Sequence, residues 1–336
     1  MDLATLWFVI IAALWLGYLF LEGFDFGVGM LLPVLGRDET ERRVVVNTIG
    51  PVWDGNEVWL IVAIGATFAA FPGWYASLLS TAYLPVLLFL LALIGRGVAF
   101  EYRGKVDSVR WRGTWDRVIC TGSWVATLCV GAVLTANVIG LPIDANGNRV
   151  GGALAAIRWE SLLGAVAVAG YALVHGAVFL ALKTEGEIRE RARSVALKLA
   201  PLALLPLLVL LLILQFRAGT WLTWLAVGVI LMAAIGALLR LAVEREGQAF
   251  ALMGVVVTGT VVVLFSLLYP NVVPSTVDPS FSLTIADTAT SQYTLTVLSW
   301  LALFGAPAVL VYQGWTYWVF RKRIGRRHIP PVHVPR

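Results

Sequence analysis

Long apolar runs separated by short polar segments dominate this chain, and nine of the runs can cross a hydrocarbon layer of about 30 Å. The first run has no lysine or arginine before Arg37, so it lacks the basic start of a cleaved signal peptide and is expected to persist as a helix. The predicted transmembrane helices are 5–35, 51–71, 77–100, 115–138, 159–182, 195–214, 221–241, 249–269 and 294–320.

The composition argues against a water-soluble protein. Of the 336 residues, 59% are hydrophobic and 13% are charged, whereas a soluble domain has roughly 45–50% apolar and about 25% charged residues. A soluble protein could not bury that excess, because much of its surface must stay polar. We therefore expect an all-α integral membrane protein, with residues 1–336 forming a single polytopic domain. Soluble enzymes, nucleic-acid-binding proteins and disordered chains fit poorly.

The positions of the basic residues predict the orientation. If the N-terminus lies outside, 21 of the 25 lysines and arginines fall in inside segments, three fall in outside segments, and Arg96 lies within a span. Because basic residues are retained on the cytoplasmic side, this bias predicts an outside N-terminus and a cytoplasmic C-terminus. The basic cytoplasmic tail, residues 321–336, is expected to be attracted to anionic lipid head groups rather than to nucleic acid.

Charged residues within the spans are concentrated in the first three predicted helices. An ionisable group in the bilayer core is costly, so it usually faces the protein interior and often serves charge transport. The first two helices each carry two acids three residues apart, which places each pair on one helix face. The third helix ends with an arginine and an acid. The residues are Glu22 and Asp25, Asp54 and Glu57, and Arg96 and Glu101.

These charged residues allow two interpretations, which are compatible with each other. In the predicted orientation they extend from the cytoplasmic face toward the middle of the membrane. The first interpretation is a proton uptake path in which Asp25, Asp54, Glu57 and Glu101 exchange protons through water. The second is a buried network of ion pairs and hydrogen bonds around Arg96 that fixes the helix packing.

The histidines argue against a haem held by two intramembrane histidines. The sequence has three histidines, and only His175 lies within a predicted span; His328 and His333 are in the tail. His175 is a weak candidate for ligating a metal or haem together with a different residue. A hydrogen-bonded histidine in the protein interior is favoured, and the spacing of histidines and carboxylates suggests neither zinc nor a di-iron site. We predict no metal site in this chain.

Several motifs make the chain similar to a known family. They are GFDFGVGML in the first helix, NTIGPVWDGNEVWL leading into the second, RGVAFEYR closing the third, and RWRGTWD entering the fourth. A later stretch, YPNVVPSTVDPSFSLTIADTATSQYTLTVLSW, covers an outer loop and the ninth helix. Together these motifs resemble subunit II of cytochrome bd-type quinol oxidases. The fifth to seventh helices add little beyond apolarity.

The resemblance implies a fold of two four-helix bundles plus one peripheral helix, which agrees with the nine predicted spans. It implies a heterodimer in the bacterial cell membrane with a homologous subunit I, which carries haems of b and d type and oxidises quinol. The complex would reduce oxygen to water and generate a proton-motive force without pumping. This chain would then contain no catalytic residue of its own. Small single-helix subunits are further expected partners.

The resemblance also assigns roles to residues of this sequence. The family's proton-path acids fall on Asp25 and Asp54, with Arg96 and Glu101 near the entrance of the path; Glu57 is the least constrained of these positions. Trp59 is expected to pack against its neighbours, and bordering an apolar route for oxygen is its alternative role. A structural quinone between apolar helices is compatible with the sequence, but no set of residues marks its site.

Two other classes of protein share some of these features. A secondary transporter would use the carboxylates as a coupling site, but transporters commonly show internal repeats, and predicted spans six to nine contain no internal acid to match the first half. A haem-binding cytochrome b is disfavoured by the single intramembrane histidine. The motifs favour the oxidase subunit over both.

Overall fold

The computed structural model describes residues 2–329, and α-helices form most of it. Two short strands, β1 (Asn271–Val273) and β2 (Leu283–Thr284), pair antiparallel in the loop before the last long helix. The helices are α1 Leu3–Leu35, α2 Glu39–Ile49, α3 Trp53–Ala70, α4 Pro72–Thr81, α5 Tyr83–Tyr102, α6 Val109–Ile139, α7 Trp159–Lys183, α8 Gly186–Ala203, α9 Leu205–Ala218, α10 Trp221–Ala242, α11 Glu246–Leu268, α12 Ile285–Thr288 and α13 Gln292–Val319.

Within residues 2–329, eight helical segments are long and apolar enough to cross a membrane, which confirms the all-α membrane class. They are α1, α5, α6, α7, α8 together with α9, α10, α11 and α13, and each coincides with a predicted span. The remaining predicted span, 51–71, contains α3, whose first turns carry Asp54 and Glu57 and so lower its hydropathy. Predicted span 77–100 begins within α4 and continues through α5.

The core is built around the crossing of α1 and α7. Every residue of α1 from Leu21 to Leu32 is buried, as expected for a helix surrounded by other helices. The crossing is close because two glycines meet there. A Cβ added to Gly27 would lie 1.9 Å from the carbonyl oxygen of Ala172, and one added to Gly176 would lie 2.4 Å from the carbonyl carbon of Gly27. Small residues of this kind allow membrane helices to bring their backbones into contact.

A cap formed by the α6–α7 loop and the segment that contains β1 and β2 covers one end of the helices. The backbone N–H of Leu141 donates to the carbonyl of Pro274 at 2.8 Å. The amide of Asn137 donates to the carbonyl of Val272 at 3.1 Å. These contacts join the end of α6 and the loop that follows it to the segment containing β1 and β2, which is far away in sequence.

At the opposite, basic end, residues 320–329 fold back onto the helix ends; we call them the docked segment. The backbone N–H of Ile324 donates to the carbonyl of Lys183 at 2.8 Å. Arg326 forms ion pairs with Asp38 at 2.7 Å and Glu41 at 3.1 Å. Arg323 and Arg327 pair with Glu246 and Glu185, respectively. Three of the basic tail residues are therefore paired within the chain, while residues 330–336, including His333, lie outside the described residues.

The docked segment is expected to loosen in acid. Burial raises the pKa of the Glu41 carboxyl, but hydrogen bonds from Arg191 and the backbone N–H of Arg37 hold it below its ordinary value. The backbone N–H of Glu41, followed by Arg326, lowers the pKa of Asp38. Carboxyls with lowered pKa stabilise the folded form above their unfolded pKa of about 4, and this contribution is lost as the pH falls through their folded values.

Hydrogen exchange of residues 320–329, corrected for intrinsic rates, tests this expectation. Protection should hold at about pH 6 and fall toward about pH 3. The amide of Leu141 in the cap, which is hydrogen-bonded to a carbonyl, is the matched control and should keep its protection. Equal protection of the docked segment across this range would contradict the prediction.

Candidate functional site

A buried arginine lies at the centre of the candidate site. Arg96 on α5 is fully buried, and its Nη1 donates to Oε2 of Glu22 on α1 and to Oε1 of Glu57 on α3, each at 2.9 Å. The guanidinium carbon lies 4.7 Å from the centroid of the Phe26 ring and 5.2 Å from that of Phe100. One cation therefore links three helices, and two aromatic faces contact it.

Asp25 extends this arrangement by one turn of α1. Its carboxyl is fully buried, and Oδ2 accepts a hydrogen bond of 2.8 Å from Nδ2 of Asn56 on α3. We call Glu22, Asp25, Asn56, Glu57 and Arg96 the Arg96 cluster. It brings three carboxyl groups and one guanidinium into the protein interior, which is an excess of acids over cations.

The side chains of the cluster differ in exposure. Those of Glu22 and Asp25 are fully buried, while that of Glu57 is 20% exposed. Asp54, one turn before Glu57 on α3, is exposed, and Glu101 in the last turn of α5 is exposed as well. Of the acids predicted for the site, Asp25 and Glu57 thus belong to the cluster, whereas Asp54 and Glu101 lie outside it at the surface.

Several polar atoms in and beside the cluster have no hydrogen-bond partner within residues 2–329. They are the hydroxyl of Tyr18, Oε1 of Glu22, Oδ1 of Asp25, and Nε and Nη2 of Arg96. Buried polar groups are rarely left unpaired, and internal water is their common partner where protein groups do not serve. The Arg96 cluster is therefore polar enough to hold water molecules between its side chains.

The cluster also contacts α13, the last long helix. Oδ1 of Asn56 accepts hydrogen bonds from the Tyr317 hydroxyl at 2.7 Å and from Nε2 of Gln313 at 3.2 Å. Oε1 of Gln313 in turn accepts from the indole N–H of Trp59 at 2.6 Å. Asn56, Gln313 and Tyr317 were not predicted from the sequence, because they carry no charge and so do not stand out within apolar spans. The signal available in the sequence was that Gln313 and Tyr317 are polar and lie four residues apart, on one face of the predicted ninth helix.

Trp59 packs directly against the backbone of α1. A Cβ added to Gly17 would lie 2.0 Å from Cε3 of the Trp59 ring. An aromatic cavity of about 200 Å³ lies between α1, α3, α4, α5 and α6, with Trp15, Ile64, Trp74 and Phe89 among its lining residues. Its described lining does not include Trp59.

A second ion cluster lies at the basic end. Arg103, just after α5, pairs with Asp116 on α6 at 2.6 Å and with Glu39 on α2 at 3.1 Å. Arg42 lies 3.8 Å from Asp116. Here cations and acids are balanced, and the pairing joins the ends of α2, α5 and α6.

His175 lies in an aromatic environment. Its Nε2 is 3.1 Å from the carbonyl oxygen of Phe20. The ring of Phe250 stacks on it at 4.7 Å and 9°, and Tyr171 stacks at 5.1 Å. These rings occupy the space that a haem would need beside the imidazole. Within residues 2–329 there is also no group of three His, Cys, Asp or Glu residues placed to hold a metal. The surroundings of His175 therefore do not fit a haem.

The fold and the site define a multi-pass α-helical membrane protein with an ion cluster buried among its helices. Residues 3–320 match the family described as cytochrome bd terminal oxidase subunit II. The chain is 40% identical over 332 residues to cytochrome bd ubiquinol oxidase subunit 2 of Bacillus subtilis, which covers 97% of this chain and 98% of the relative. It is 32% identical over 367 residues to cytochrome bd-I ubiquinol oxidase subunit 2 of Escherichia coli K12. That match covers 97% of this chain and 96% of the relative.

The solved structure of the bd oxidase from Geobacillus thermodenitrificans has the same fold. It superposes with a TM-score of 0.78 at 17% sequence identity, covering 95% of this chain and 97% of that chain. The chain belongs to the cytochrome bd terminal oxidase subunit II family, as the motifs indicated. It is a multi-pass protein of the bacterial membrane and a component of a terminal oxidase complex.

Proposed function

We propose that this chain is subunit II of a quinol:oxygen oxidoreductase, in which it supports a homologous subunit I and supplies a cytoplasmic path for proton uptake. The relatives named above are ubiquinol oxidase subunits, which supports a quinol as the reductant. Haems of b and d type would be held by subunit I, since the surroundings of His175 in this chain do not fit a haem. Reducing oxygen to water consumes protons as well as electrons. Proton uptake from the cytoplasm, with quinol protons released outside, would generate a proton-motive force without pumping.

We further propose nine membrane helices, with α3 as the additional one, an outside N-terminus and a cytoplasmic C-terminus. With 18 residues α3 is about 27 Å long, close to the thickness of the hydrocarbon layer. The bias of the basic residues supports the orientation. Two four-helix bundles would be α1 with α3, α5 and α6, and α7 with α8–α9, α10 and α11. The helix α13, of which only Leu295 is buried among the described residues, would be the peripheral helix.

The graded exposure of the acids is the observation that carries the proposed proton path. Asp54 is exposed, Glu57 is partly exposed, and Glu22 and Asp25 are fully buried, so neighbouring acids lead from the surface inward. With all three carboxyls of the Arg96 cluster ionised, Arg96 would neutralise only one of them. Unbalanced charge in a protein interior is costly, so the cluster is suited to bind protons. Water between the unpartnered polar atoms would connect the acids, and Glu101 would serve at the entrance.

The test is Asp25→Asn in the purified two-subunit complex. The amide keeps the shape of the carboxyl but cannot exchange a proton, so oxygen uptake driven by quinol should fall on the order of tenfold or more. Asp54→Asn should cause a smaller loss, because water can reach an exposed position directly. Glu190→Gln, an exposed acid on α8, is the matched control and should leave turnover unchanged.

Haem content, read from the absorption spectrum, separates the two interpretations of the cluster. Low turnover with full haem content supports the proton path. Full turnover and full haem content in Asp25→Asn would show that Asp25 has a packing role only. Loss of haem with loss of turnover would indicate that the cluster acts by holding the helices together.

The remaining expectations stay predictions. The aromatic ring of Trp59 is accounted for by its packing and its hydrogen bond, and an oxygen route beside it has no further support. A cavity of about 170 Å³ between α8, α9, α10 and α11 is lined by hydrocarbon side chains such as Leu208 and Ile230, which suits a lipid chain or the tail of a structural quinone. Bound lipids and small single-helix subunits are predicted partners.

A further inference from the structure

The peripheral helix α13 is attached to the body of the protein partly by hydrogen bonds. Most of its side chains are exposed, whereas Gln313 and Tyr317 are half-buried and lie four residues apart on one face. Both donate to the same atom, Oδ1 of Asn56. Helices in a membrane are already surrounded by apolar lipid, so burying apolar side chains between them gives little attraction. Hydrogen bonds such as these therefore contribute to holding α13 against α3.

The hydrogen bonds form a chain with a fixed direction. An indole N–H can only donate, so Gln313 must direct its carbonyl oxygen toward Trp59. The Gln313 amide nitrogen then faces Asn56 and donates to its carbonyl oxygen. The Asn56 amide nitrogen is therefore directed at Asp25, where it donates to Oδ2. Reversing any amide would bring two donors or two acceptors face to face.

We propose that Trp59 and Gln313 are positioning residues that fix the orientation of the Asn56 amide and thereby determine which oxygen of Asp25 exchanges a proton. Oδ2 is held as an acceptor by Asn56. Oδ1 has no partner within residues 2–329, so it is the oxygen left to bind and release the proton. This inference rests on the proposed proton path, since it concerns how Asp25 performs that role.

The geometry also explains why position 56 holds an amide rather than an acid. It must accept on one side, from α13, and donate on the other, to Asp25. A carboxylate in its place could only accept and would face Asp25 with like charge. Asn56 thus transmits the direction imposed by Trp59 across the helix interface.

Infrared difference spectroscopy on the purified complex can test the inference. The C=O stretching band of protonated Asp25 is identified as the band that Asp25→Asn removes. In the native complex the carbonyl oxygen is Oδ2, and the hydrogen bond from Asn56 lowers its frequency. In Trp59→Phe and in Gln313→Leu the Asn56 amide is free to reverse. A second component at higher frequency, from a carbonyl without the Asn56 donor, is the expected result.

Turnover gives a second measurement. Both variants are expected to lower kcat about fivefold, the effect of about one net hydrogen bond, while the KM for oxygen stays unchanged. Ser299→Ala is the matched control, because it removes a hydrogen bond of 3.0 Å between α13 and Trp7 of α1 outside the chain of hydrogen bonds. It should change neither the band nor kcat.

The outcomes distinguish this inference from the proposed function. If Asp25→Asn removes no carboxyl band, Asp25 does not carry a proton, and the proposed path through it is wrong. If the band exists but is unchanged in Trp59→Phe and Gln313→Leu, only the positioning role is wrong. A raised KM for oxygen with an unchanged band would instead assign Trp59 to an oxygen route. If Trp59→Phe does not assemble, Gln313→Leu, which leaves the indole in place, decides the question by the same band.

Discussion

Replacing Arg96 with methionine is expected to prevent the assembled oxidase from accumulating in the membrane. The substitution keeps much of the side-chain volume but removes the only cation of the Arg96 cluster. Glu22 and Glu57 would then lie in the interior without the group that each contacts at 2.9 Å. Breaking a buried pair by removing one partner costs about 3–5 kcal/mol, a large share of the ~5–15 kcal/mol that stabilises a typical protein.

The measurement is the amount of this chain and of haem in purified membranes, compared with Arg117→Met. Arg117 lies on α6 and is exposed, so its loss should have little effect. A double variant, Arg96→Met with Glu22→Gln, should recover part of the complex because one of the uncompensated acids becomes neutral. Native amounts of complex in the single variant would show that the acids do not depend on Arg96.

Replacing Gly27 with alanine is the change expected to have the next largest effect. The added Cβ would lie 1.9 Å from the carbonyl oxygen of Ala172, and that neighbour is backbone, which cannot move aside as a flexible side chain can. Helices α1 and α7 would have to separate along the crossing. Overpacking typically costs about 1–3 kcal/mol, and a contact between two backbones places this substitution at the upper end.

The loss of stability is measured by thermal unfolding of the detergent-solubilised complex, with the decrease in haem absorption as the signal. The transition should move to lower temperature by several degrees. Gly228→Ala is the control, because nothing lies within 4 Å of a Cβ added on that exposed face of α10 and alanine favours the helix. A transition in Gly27→Ala that coincides with that of Gly228→Ala would contradict the close crossing.

The sequence alone was sufficient for most of the membrane-spanning helices and for the family, whereas α2, α12, β1 and β2 were not predicted. In a membrane every backbone polar group must be satisfied within its own segment, so long apolar runs are nearly obliged to become helices. Eight of the nine predicted spans coincide with helices that can cross. The predicted span 51–71 is the exception, because Asp54 and Glu57 lower the hydropathy of α3 below that of the other spans.

The sequence also placed the acids near Arg96 but could not say which of them contact it. Glu22 and Asp25 had to share a face of α1, because residues three apart do so on any helix. Whether Glu57 or Asp54 reached Arg96 depended on how α3 and α5 rotate against each other, whereas Glu101 follows Arg96 by five residues on α5 and so lies on a different face of that helix. Only the packed structure brought Glu57 within 2.9 Å and left the other two exposed.

The contact between Asn56 and α13 was decided by tertiary structure alone. Asn56 and Tyr317 are 261 positions apart, and both are uncharged, so no local pattern linked them. Hydropathy reports how much a segment favours lipid, which is a property of each run by itself. The direction of a hydrogen-bond chain depends on which donor meets which acceptor after the helices have packed. For that reason the sequence determined the helices and their acids, while the fold determined which oxygen of Asp25 is left free.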